Sequence, residues 1–223
     1  MSKINLTNIS KQYKLKRKVV DALNDISLEI NSGSFTVLTG PSGSGKSTIL
    51  QLVSGIEQPT SGQVTVDDQD LTKLNAQKLA IFRRKNVGIV FQQFYLDSTL
   101  TLRQNMELPA MFLGLSVEER EQRTKELATL MGLADHLDHL PSELSGGQIQ
   151  RAAVARAIYN KPSILIADEP TSNLDQDNFL AVAKLFQQVH KTYGTTIIIA
   201  THDPRILEYA SQTIKIRDGR VEL

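Results

Sequence analysis

The chain has 223 residues, no cysteine, and 25 Lys plus Arg against 24 Asp plus Glu, for a net charge of +1. This length suits one large domain or a domain with an inserted subdomain, and the missing cysteines exclude disulfides and thiolate metal sites, as expected of a reducing compartment. The balanced charge argues against a duplex-binding domain, and no apolar run approaches the roughly 20 residues that span a bilayer.

The N-terminal "MSKINLTNIS" lacks the apolar core of a signal peptide, so a soluble, cytoplasmic chain is expected. Short β-rich segments follow at 3–9, 23–30 and 35–39, each bounded by polar or Gly/Ser punctuation. The basic cluster "KLKRK" at 14–18 reads as a solvated loop edge, with contact to nucleotide phosphates or lipid headgroups as the alternative. After "GPSGSGKST" at 40–48 a helix is expected through about Ser54. A strand at 61–66, a helix at 75–85 and a buried strand at 87–91 come next.

From about Thr99 to Tyr159 the pattern is helical. Ser116 with Glu119 forms a capping box that opens a helix at 117–131, Gly132 ends it, and Pro109 kinks or ends the helix before it. "SILIAD" at 163–168 and "TTIIIA" at 195–200 are continuous apolar runs, as in central parallel strands covered on both faces. Between them Phe179, Val182, Ala183, Phe186 and Val189 mark the core-facing stripe of a helix. The stretch 214–223 reads as a closing hairpin turning at Asp218-Gly219.

"GPSGSGKST" meets the G-x-x-x-x-G-K-[ST] pattern from Gly40 to Ser47, between a strand and a helix, and points to nucleotide binding by Gly40, Ser42, Gly43, Gly45, Lys46, Ser47 and Thr48. Gly43 and Gly45 let amides turn in around the β-phosphate at a helix N-terminus. Lys46 would neutralise β/γ oxygens and Ser47 would ligate Mg2+. The apolar strand of "ILIADEP" ends in two carboxylates. Asp168 can hold Mg2+ through water, while Glu169 can accept a proton from, or orient, an attacking water. In isolation they would be two solvated acids before a proline. His202 and Gln92 also follow apolar strands, at the end where open α/β sheets bind ligands. This favours a γ-phosphate contact for His202 over a loop cap, and lets Gln92 reach Mg2+ or the water. His136 and His139 could share a helical face, but two ligands make a weak metal site, and they read as solvated.

The ordered set "GPSGSGKST", Gln92, "LSGGQ" at 144–148, "ILIADEP", "SNLD" at 172–175 and His202 resembles the nucleotide-binding subunit of ATP-binding cassette (ABC) transporters over nearly the whole chain. "LSGGQ" is its most specific element, because other phosphate-loop ATPases lack it. The resemblance implies an α/β fold: a P-loop NTPase core with a mainly parallel sheet over 1–98 and 160–223, including an N-terminal antiparallel β subdomain, and an inserted α-helical subdomain at 99–159. It implies ATP and Mg2+ as ligands and ATP hydrolysis as the activity. Ser145, Gly146, Gly147 and Gln148 would cover the γ-phosphate held by a second subunit in a head-to-tail homodimer. Tyr13 would stack on adenine, and Asp175 would communicate between the two sites. The insertion and the loop after Gln92 would receive the coupling helices of an integral membrane permease at the inner face of the cell membrane. Ile149 and Ser172 depart from the common pattern without removing a phosphate ligand or the base.

The segments 90–114 and 167–175 are similar to the branch that holds lipoprotein-releasing, macrolide-exporting and peptide-detoxifying systems together with a cell-division pair. The stop just after the closing hairpin is expected to favour that branch over importers with a regulatory C-terminal domain. The function implied is export or extraction of a peptide, lipid-linked or hydrophobic substrate. A regulatory motor that signals to a sensor or cell-wall hydrolase, and an importer ATPase, are the alternatives. A soluble cassette acting on DNA or ribosomes would carry a long coiled-coil insertion or a second cassette, and no nucleic-acid partner is expected.

Overall fold

Two sheets divide the strands by how much of each is covered. The computed structural model describes residues 2–16, 18–171 and 174–222. Strands β1 (Ile4–Leu15), β2 (Lys18–Ile30), β4 (Ser61–Val66) and β5 (Gln69–Asp70) form an antiparallel sheet in the order β2-β1-β4-β5. The second sheet runs β10-β9-β3-β8-β7-β6, built from β3 (Phe35–Thr39), β6 (Val87–Val90), β7 (Ile164–Asp168), β8 (Thr196–Thr201), β9 (Gln212–Arg217) and β10 (Arg220–Glu222). All its pairings are parallel except the closing β9-β10 hairpin.

Burial follows from these positions. In β2 only Leu23, Ile26 and Ile30 are buried, so one face meets the core and the other water. In β7 and β8 successive residues feed two different cores: Leu165, Ala167, Ile197 and Ile199 enter one, and Ile164, Ile166, Ile198 and Ala200 the other. A strand with both faces dry has no use for alternation, and this is why 163–168 and 195–200 read as unbroken apolar runs.

The helices are α1 (Lys46–Val53), α2 (Ala76–Asn86), α3 (Leu102–Glu107), α4 (Val117–Met131), α5 (Gly146–Ile158) and α6 (Gln176–Tyr193). Helix α1 and the antiparallel sheet share one core; α3, α4, α5 and α6 share the other. Between 99 and 159 there are helices and single 3-10 turns and, among the described residues, no strand. The Ser116–Glu119 capping box opens α4, and Gly132, at φ +62, closes it in the left-handed cap. Pro109 stands where α3 gives way to a 3-10 turn. The expected α6 stripe is buried throughout.

Two differences from the sequence expectation concern the length of the first two strands and the burial of two histidines. Strands β1 and β2 run far past 9 and begin well before 23, because an exposed antiparallel ladder is held by backbone bonds and does not require apolar side chains. Lys14, Lys16 and Lys18 of the basic cluster sit at the exposed tip of this hairpin, in keeping with the solvated reading, while Arg17 lies outside the described residues. His136 and His139 are half-buried rather than solvated: their rings meet edge-on with centroids 5.3 Å apart, and His136 Nε2 lies 2.9 Å from Gln148 Nε2.

Candidate functional site

The ends of β3, β7 and β8 open on one cleft of about 620 Å³. It is lined by Pro41 to Thr48, by Gln92, Asp168, Glu169 and His202, and by Val20, Asp21 and Ala22 of β2. Parallel strands bring their carboxyl ends to the same edge, so residues far apart in sequence meet there.

The loop after β3 wraps the start of α1. Gly45, its N-cap, has φ +106 and no side-chain cap. A Cβ at Gly45 would come within 2.7 Å of Ala22 O and Leu23 Cδ2, so only glycine allows this close approach to β2. The β9-β10 turn braces the loop from behind, with the Gly219 amide donating to Ser44 O at 3.0 Å. Lys46 is buried, and its Nζ donates to the carbonyls of Gly40 and Pro41 at 2.8 and 2.9 Å. Ser44 Oγ is buried without a hydrogen-bond partner.

Asp168 ends β7 hydrogen-bonded to Ser47. Burial pushes its carboxyl above the ordinary aspartate range and the Glu169 charge adds to this, while the Ser47 bond and the Lys46 ammonium oppose it. Glu169 stands at φ +47, with its amide donating to Ala200 O at 2.8 Å. Its Oε2 accepts from Thr201 Oγ at 3.0 Å, and its Oε1 lies 2.8 Å from His202 Nδ1. Gln92 is exposed at the cleft wall.

These oxygens suit Mg2+ held jointly with phosphate. Serine hydroxyl, carboxylate and amide are hard donors, and Mg2+ favours one or two carboxylates plus substrate phosphates. Among the described residues no group of three or more His, Cys, Asp or Glu could hold a metal without help.

Tyr13 does not line the cleft. It pairs across the strands with Val20, which does, and its hydroxyl bonds to Gln51 of α1 at 3.1 Å, with Lys11 Nζ 4.9 Å from the ring centroid. Ser145, Gly146, Gly147 and Gln148 are also absent from the cleft lining. They begin α5, where Gln148 N donates to Ser145 Oγ at 3.3 Å and Ser145 N to Gln148 Oε1 at 2.8 Å. Behind them, Asp175 caps α6 by accepting from Asn178 N at 2.8 Å, and Asn178 stands against Gly147. Ser172 and Asn173 of "SNLD" lie outside the described residues.

Several contacts had no counterpart in the sequence reading. Gln150, fully buried in α5, donates to Pro170 O beside Glu169. Arg156 holds the loop after Gln92 through Tyr95 O at 2.7 Å and Phe94 O at 2.8 Å. Buried Arg123 of α4 donates to Ile158 O and Tyr159 O at the C-terminus of α5. The Ser145–Gln148 capping box was detectable from its S-x-x-Q spacing. The hydroxyl of Thr201 one residue before His202 was a further signal, whereas Val20, Asp21 and Ala22 carry none.

A family model described as ABC transporter matches residues 23–172. The chain is 39% identical over 218 residues to the uncharacterised ABC transporter ATP-binding protein YknY of Bacillus subtilis (strain 168), covering 98% of this chain and 94% of YknY. It is 42% identical over 224 residues to the macrolide export ATP-binding/permease protein MacB of Syntrophobacter fumaroxidans, covering 100% of this chain but 31% of MacB. Among solved structures, the ATP-binding cassette MJ0796, in a dimeric post-hydrolysis state bound to ADP and Pi, is similar with a TM-score of 0.90 and 38% identity over 99% of this chain and 97% of that one.

Proposed function

Because the chain belongs to the ABC transporter family and is an ATP-hydrolysing cassette, we propose that it works as a head-to-tail homodimer driving a membrane permease that exports or extracts a peptide, lipid-linked or hydrophobic substrate. The observation that carries the catalytic part is the carboxylate of Glu169, held by Thr201 and His202 at the rim of the phosphate cleft.

In this reading the phosphate chain enters the cradle at α1, and Lys46 leaves its two loop carbonyls for the β/γ oxygens. Ser44 Oγ gains a partner there. Ser47, Asp168 and Gln92 hold Mg2+, which when bound neutralises phosphate charge and orients the γ-phosphoryl group. Glu169 orients the attacking water and takes its proton, and His202 turns to the γ-phosphate. Tyr13 offers its ring to adenine from the strand beside the cleft wall. The Ser145, Gly146 and Gly147 start of α5, which does not line its own cleft, covers the partner's γ-phosphate, and Asp175 lies behind that start through Asn178. Residues 99–159 act as the moving subdomain.

A groove of about 880 Å³ supports the permease reading. Exposed Phe91, Tyr95 and Phe112 line it with Arg83, Arg84 and Arg156, an apolar cleft of the kind a partner helix fills. Since Arg156 and Gln150 are both on α5, a push on this groove reaches the segment that carries Glu169. The similarity to MacB favours export and a cassette at the inner face of the cell membrane.

Glu169→Gln is expected to keep ATP binding and lose turnover by on the order of 100-fold or more. Near-normal hydrolysis would remove Glu169 as the base. The same variant, held closed with ATP and pulled down from gently solubilised native membranes, is expected to bring a permease with few spans and a large extracytoplasmic domain. A many-span importer permease would overturn the exporter reading.

A further inference from the structure

Among the side chains that hold Glu169 are two of unlike exposure, Thr201 and His202. His202, with a side chain 66% exposed, stands in the cleft beside the place where phosphate binds. Thr201, only 1% exposed, ends β8 inside the protein.

The direction of the Thr201 bond is fixed by its neighbour. The Asp203 amide donates to Thr201 Oγ at 3.0 Å, which leaves the hydroxyl proton for Glu169 Oε2 at 3.0 Å. An ionised carboxylate can only accept, so the chain of bonds has one polarity: amide to hydroxyl to carboxylate. Its far end is anchored as well. Asp203 takes Arg205 through both oxygens, at 3.0 and 2.6 Å, and the guanidinium lies 4.1 Å from the ring centroid of buried Phe179. A path of direct contacts therefore runs from the α6 core to one oxygen of Glu169.

We infer that Thr201 is the positioning residue for Glu169: its hydroxyl pins Oε2 so that Oε1 stays aimed at the attacking water when His202 turns to the nucleotide. The inference rests on Glu169 being the base. A hydrogen bond to a charged group that is already in place adds to transition-state stabilisation without adding to ATP affinity.

The test is steady-state ATP hydrolysis and binding of a fluorescent ATP analogue by the purified chain. Thr201→Val, of the same shape, is expected to lower kcat about tenfold with KM for ATP unchanged, and Thr201→Ser to return kcat to within about twofold of the parent. In a Glu169→Gln background Thr201→Val is expected to cost nothing further. Should the valine chain not fold, Thr201→Cys, a weak donor, is expected to give an intermediate kcat with KM held. Parental kcat in Thr201→Val or Thr201→Cys, equal loss in Thr201→Ser, or a rise in KM at constant kcat would overturn the inference. Parental turnover by Glu169→Gln alone would instead overturn the reading of the base, so the two failures are distinguishable.

Discussion

The two glycine-bearing helix starts are built on opposite plans. At α1 the N-cap is Gly45, in the left-handed region, and no side chain caps the first turn. At α5 the N-cap is Ser145, extended, and it exchanges two hydrogen bonds with Gln148. The first start is left open for an anion, and its own cleft supplies lysine, hydroxyls and carboxylates around it. The second satisfies part of its first turn itself, has no such residues beside it in the cleft lining, and leaves Gly146 with open space around it. On the proposed reading one is a complete cradle, and the other is a lid edge that takes a ligand brought by another molecule. Glycine pairs that look alike in sequence therefore differ in what surrounds them, and in what damage should follow from changing them.

The largest contrast is expected between Lys46→Ala and Ser145→Arg. Lys46→Ala should weaken ATP binding by on the order of 100-fold or more, since it removes a buried charge from the phosphates. Ser145→Arg should leave binding by the monomer intact and block the ATP-dependent dimer. Light scattering that still found that dimer would dissolve the distinction between cradle and lid. Next comes stability. Gly45→Ala faces both a strained φ and a 2.7 Å contact and should cost at least about 2 kcal/mol in urea unfolding, whereas Gly146→Ala should stay within about 1 kcal/mol of the parent. Equal costs would show that backbone environment is not what separates the two. The smallest effect concerns Asp168, raised above its ordinary value of 3.8. A carboxyl that binds its proton more tightly when folded favours the fold below that ordinary value and weakens it as pH rises through the raised one. Asp168→Asn should therefore lift the Tm of the nucleotide-free chain by a few degrees at most at neutral pH while weakening Mg2+-dependent ATP binding. A lower Tm would mean that its bond to Ser47 outweighs burial.

What could be read in advance was whatever local chemistry dictates. The strands 35–39 and 61–66, the Gly132 cap, the α6 stripe and the Asp218-Gly219 turn are fixed by neighbours within a few residues, and the structure has them where the spacing predicts. The phosphate loop, Gln92, Asp168, Glu169 and His202 were legible because chain order and strand ends bring them to one edge. The length of β1 and β2 was not, since paired backbones leave no trace in exposed polar residues. Nor were Arg123 on the end of α5, Gln150 under Pro170, or the packing of His136 against His139, each of which depends on elements that meet only after folding. Tyr13 is the intermediate case: its strand lies beside the cleft, but its ring is engaged with Lys11 and its hydroxyl with Gln51.

The φ of +47 at Glu169 has a bearing on how such a chain can change over generations. A residue with a Cβ pays roughly 1 kcal/mol or more in that region, and glycine does not. Replacement by glycine would relax the backbone and, on the mechanism proposed above, delete the proton acceptor in one step. On that mechanism, relief of backbone strain and the capacity to turn over ATP are opposed at a single codon.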